Sequence, residues 1–100
     1  MNKEKADERI TRVINEMREE YVQGTVLNVE VPPLVNKKTG EIIGNAVILY
    51  LSPKYDYTED FLKLWKDKFG ADEFSVSAYN VLEGMNSLVK VKFTIRYKRI

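Results

Sequence analysis

Between Val89 and Lys98 the chain alternates without a break, and this stretch constrains the fold most. Val89, Val91, Phe93, Ile95 and Tyr97 form one set, and Lys90, Lys92, Thr94, Arg96 and Lys98 the other. Successive side chains of a strand point to opposite faces, so the segment predicts a strand over 88–99 with one face on a core and one in water. A lone hairpin cannot bury such a face stably, so the rest of the sequence must supply further strands and a covering layer.

The covering layer is legible as two amphipathic helices. Ala6, Ile10, Val13, Ile14, Met17 and Tyr21 recur at steps of three and four, which predicts a helix over 3–22 with Gly24 placed to stop it. Pairs such as Glu8–Arg12 on its wet face add only tenths of a kcal/mol. A second helix runs to about Phe69. Phe61, Leu62, Trp65 and Phe69 form its buried face, Leu64 lies on the flank, and Gly70 sits at the stop. Asp56-Tyr57-Thr58-Glu59 has capping-box spacing with Asp56 as the cap, and Thr58 is the rival cap.

The remaining strands follow from period two. Residues 25–31 alternate, with Leu27, Val29 and Val31 expected on one face and Val26, Asn28 and Glu30 on the other, and Pro32-Pro33 ends the run. Asn36-Lys37-Lys38-Thr39-Gly40 is a polar turn into the most apolar strand, 42–51. Phe74, Val76 and Ala78 alternate with Ser75, Ser77 and Tyr79 over 73–82, and Glu83-Gly84-Met85-Asn86 is a turn.

The order α-β-β-α-β-β predicts an α+β two-layer sandwich: a four-stranded, mostly antiparallel sheet with two helices on one face, in a single domain over 1–100. A ferredoxin-like sheet whose first strand has moved to the C-terminus has this order. It places 42–51 and 88–99 centrally and 25–31 and 74–82 at the edges. A plain sheet of two hairpins is the rival. With the set Val89–Tyr97 facing the helices, the opposite face carries Lys90, Lys92, Thr94, Arg96 and Lys98. Strand 42–51 must add to that face either Val47, Leu49 and Leu51 or Ile48 and Tyr50. An apolar strip beside a basic one is therefore expected on the uncovered side, a surface suited to a partner or a homodimer.

Composition narrows the chemistry. The 100 residues contain no histidine and no cysteine, which removes the commonest general base, the commonest metal ligand and any thiolate or disulfide. No apolar run approaches the ~20 residues of a membrane span. The aromatic content of 11% argues against disorder. The N-terminal Met-Asn-Lys-Glu-Lys-Ala-Asp-Glu-Arg has no apolar leader segment and is rich in acids, so a cytoplasmic location is expected. Glycines 24, 40, 70 and 84 stand at turns or helix ends and form no phosphate-cradling loop. Glu30, Glu41 and Glu83 belong to different elements, and nothing in the sequence joins two of them as an acid–base pair. Asp56, Glu59 and Asp60 lack calcium-loop spacing, and carboxylates are favoured at a helix N-terminus anyway. No catalytic residue, metal ligand or cofactor site is therefore assigned.

Two surface sets remain. Tyr50, Tyr55 and Tyr57 flank the second loop, with Tyr79 on a neighbouring strand, and are the candidate protein-binding residues. The plain alternative is that they cover the end of the sheet. Lys90, Lys92, Arg96 and Lys98 are the candidate nucleic-acid contacts; residues 84–100 carry +5, whereas 58–83 carry three lysines against six acids. A solvated strand face would look the same, and the whole chain has a net charge of only +1. The expectation is a small non-enzymatic protein that binds another protein through its sheet face or an edge strand, as an adaptor or inhibitor and as a homodimer. Phage- and virus-encoded inhibitors are one such class. The alternative is a nucleic-acid-binding module, with weak binding along the basic C-terminal strand.

Overall fold

The computed structural model describes residues 2–20, 25–53, 57–80 and 87–97. Helix α1 spans Lys3–Glu20 and α2 spans Glu59–Phe69; the strands are β1 (Val26–Glu30), β2 (Pro33–Val35), β3 (Ile42–Leu51), β4 (Glu73–Asn80) and β5 (Ser87–Arg96). The sheet is antiparallel throughout and runs β1-β3-β5-β4, with β2 also paired to β3. The α+β class, the one-sided helix layer and the central position of the two longest strands are thus as the sequence predicts.

Both helices start where a side chain accepts a free backbone N–H, while Tyr21 and the expected α1 stop, Gly24, lie outside the described residues. The Lys5 N–H donates to Asn2 Oδ1 at 2.9 Å. Thr58, the rival cap, is the one that acts: it receives the Phe61 N–H at 3.2 Å, while Asp56 lies outside the described residues. Gly70 closes α2 in the left-handed conformation, with φ of 68°. On α1, Arg12 pairs with Glu16 at 4.0 Å rather than with Glu8, and Lys68 reaches Glu20 at 3.8 Å to link the ends of the two helices. These exposed pairs contribute at most about 1 kcal/mol each.

Ala6, Ile10, Val13 and Met17 of α1 and Leu62, Trp65 and Phe69 of α2 pack against Val47, Leu49 and Leu51 of β3 and Val91, Phe93 and Ile95 of β5. Two groups of rings fill this core: Phe61 meets Trp65 at 4.4 Å, and Phe69 meets Phe93 at 5.1 Å between ring centroids. Asn45 is the one buried polar side chain of β3, and its Oδ1 accepts the Tyr97 hydroxyl.

The N-terminal edge departs from the predicted pattern. A bulge between Val26 and Asn28 puts Val26 opposite Leu51 and Asn28 opposite Tyr50, so Val26 and Val29 both pack on the core while Leu27 is exposed. Pro32-Pro33 interrupts the strand without ending its pairing. The Pro32 carbonyl accepts the Ala46 N–H at 3.0 Å without the reciprocal bond that a proline cannot give, and β2 continues along β3, where Pro33 opposite Asn45 occupies the adjacent non-hydrogen-bonded pair and forgoes no ladder bond. The 36–40 turn then returns the chain: Gly40 N–H donates to the Asn36 carbonyl at 2.7 Å with φ of 72°.

Candidate interaction face

Strand register decides which side chains share the face opposite the helices. Val47 stands beside Phe93 and Leu49 beside Val91 on the core side. The alternate pairs, Ala46–Thr94, Ile48–Lys92 and Tyr50–Lys90, therefore belong to the open face. Strand β1 adds Asn28 and Glu30 beside Tyr50 and Ile48, β2 adds Leu34 beside Gly44, and β4 adds Ser75 and Ser77 beside Lys92 and Lys90.

Two rows result. One reads Glu30, Ile48, Lys92, Ser75 across β1, β3, β5 and β4; the next reads Asn28, Tyr50, Lys90, Ser77. The apolar strip on this face is the even set of β3, with Ile42 exposed and Ile48 and Tyr50 half-buried. The basic strip is the even set of β5. The strips interlock, because the Lys90 ammonium lies 6.0 Å from the centre of the Tyr50 ring, in cation–π contact.

The basic set is weaker than its count. The Arg96 guanidinium pairs with Glu73 Oε1 at 3.1 Å, and its backbone N–H donates to Asp72 Oδ2 at 2.8 Å. Arg96 thereby ties β5 to the start of β4. Lys90 and Lys92 remain on the open face, and Lys98 lies outside the described residues.

The tyrosine set divides. Tyr50 is on the open face. Tyr57 is a structural residue: its hydroxyl donates to the Ser52 carbonyl at 2.8 Å, and its ring packs on the core edge 6.4 Å from Phe61. Tyr55 lies outside the described residues, and Tyr79 occupies β4 opposite Leu88. Glu30, read in the sequence as a polar β1 residue and an unpaired carboxylate, joins the Ile48–Lys92 row. Its face, opposite Val29, follows from period two; its neighbours follow from the pairing of β1 with β3.

Among the described residues no three His, Cys, Asp or Glu side chains are arranged to hold a metal ion, and no helix is long and apolar enough to cross a membrane. No family model matches the chain, and no curated protein or solved structure matches it either.

Proposed function

We propose that this is a small non-enzymatic binding protein, an adaptor or inhibitor, that engages another protein through the open face of its sheet. The observation that supports the reading is the one-sided helix layer, which leaves Ile48 and Tyr50 beside Lys90 and Lys92 on the surface. An apolar strip rimmed by charge suits a protein partner better than bulk solvent. Self-association through the same face and action in the cytoplasm belong to this reading; cell fractionation checks the location. Affinity purification from the native host, with and without nuclease, tests the central claim. A protein partner should copurify under both conditions and be lost with Ile48→Asp. Recovery that depends on nucleic acid would overturn the reading.

The second reading is nucleic-acid binding, favoured by the Lys90–Tyr50 contact, which puts a cation and an aromatic ring together as base-stacking surfaces do. Salt separates the two. Phosphate contacts weaken steeply with ionic strength, and an apolar interface does not.

A further inference from the structure

We propose that the open face pairs with the open face of a second copy about a two-fold axis running along β3, so that Glu30 of each copy meets Lys92 of the other. The proposal rests on the open-face reading above and names its partner. Register carries the argument. Glu30 and Lys92 are the two cross-strand neighbours of Ile48, one on each side. Adjacent strands are about 4.8 Å apart, so the acid and the base flank Ile48 at equal distances. A rotation of 180° about β3 keeps every residue at its level along the strand and exchanges left with right. It therefore sets Glu30 over Lys92 twice, Ile48 over Ile48 and Tyr50 over Tyr50, with Asn28 facing Lys90.

The charges that a copy would meet have no ion-pair partner among the described residues. Neither Glu30 nor Lys92 makes an ion pair with a described residue, whereas Arg96 on the same face is already held by Glu73. Aligned sheets pack about 10 Å apart with strands within about 30° of each other, a gap that two facing side chains fill. The axis overlaps the three strand rows centred on β3, namely β1 with β2, β3 itself and β5, and three rows at about 4.8 Å by ten residues at about 3.4 Å make a face on the order of 500 Å². Two such faces bury on the order of 1,000 Å², the lower size of a specific interface. An isologous two-fold pair is also the commonest form of assembly.

Charge reversal tests this pairing. Sedimentation at micromolar concentration should show a dimer for the wild type. Glu30→Lys or Lys92→Glu, each placing like charges face to face twice, should raise the dimer dissociation constant about tenfold or more. Circular dichroism confirms that each variant is folded. The double variant should dimerise again. More tellingly, the two single variants should associate with each other when mixed, because one then carries two cations in the row and the other two carboxylates. A wild-type monomer at 100 µM or so, or single variants that dimerise as the wild type does, overturns the proposal. Failure of the mixture to associate overturns it too. The broader reading fails separately: it falls if Ile48→Asp leaves capture of a partner protein unchanged, whatever the oligomeric state.

Discussion

Gly44 and Gly40 are both glycines in and around β3, yet opposite physics requires them. Gly40 has φ of 72° and open space where a Cβ would sit, so an alanine there meets only backbone strain, about 1 kcal/mol. Gly44 needs no unusual dihedral, but a Cβ built on it would lie 2.1 Å from the Ile95 carbonyl oxygen of the paired strand. Backbone cannot swing aside as a side chain can. Gly44→Ala should therefore cost at least the 1–3 kcal/mol or so of an overpacked core, more than Gly40→Ala, and urea denaturation of the two variants checks the order. Tyr97 supplies a second test at this scale. Burial pushes its phenol above the ordinary value, and the nearby Asp7 carboxylate adds to the shift. The folded chain then keeps this proton to higher pH than the unfolded chain does. Its contribution is complete below about pH 10 and declines as pH rises past the unfolded phenol value. Tyr97→Phe should flatten that decline. It should also cost about 1–3 kcal/mol at neutral pH, because buried Asn45 loses its donor. A denaturation series from pH 7 to 11 or so reads both.

At the scale of elements, helices and central strands were legible because their signals are local and redundant. The apolar stripe of α1, the Thr58 and Gly70 stops of α2 and the unbroken alternation of β5 each repeat one message over several residues. Strand 42–51 was legible for the same reason. The β1–β2 edge was not, since a bulge at Leu27 and continued pairing past Pro32-Pro33 are decided by β3, a partner distant in sequence. The candidate face inherits that division. Lys90 and Lys92 could be placed from their own strand, but Glu30 acquires its neighbours only through the pairing of β1 with β3, and the capture of Arg96 by Glu73 depends on β4 register. Trp65 tests the helix layer as an element. Its ring is fully buried between Phe61 and the sheet, so Trp65→Ala should cost about 3–5 kcal/mol. A loss below about 1 kcal/mol on chemical denaturation would mean that α2 does not seat on the sheet as described.

For the whole molecule, the question is what field the open face presents to a polyanion. Among the described residues three cations stand on it, but Arg96 is matched by Glu73, and Glu30 lies two strands from Lys92. What remains is Lys90 and Lys92, about 6–7 Å apart along one strand and close to the phosphate repeat of an extended single strand. Two phosphate contacts imply a logarithmic salt slope of only about −1.4 for a single-stranded ligand, so binding to nucleic acid should be weak. Fluorescence anisotropy with a labelled oligonucleotide, titrated across salt concentrations, measures that slope. Changing Lys90, Lys92 and Arg96 together to glutamine should abolish the binding. The fold should survive, because the only ion pair lost among the described residues is the exposed Arg96–Glu73 bridge, worth at most about 1 kcal/mol. A slope several times steeper would mean that the polyanion is held by more of the chain than this face. Tight binding that persists at 0.2 M salt or so, or that favours one base sequence, would make nucleic acid rather than protein the principal partner.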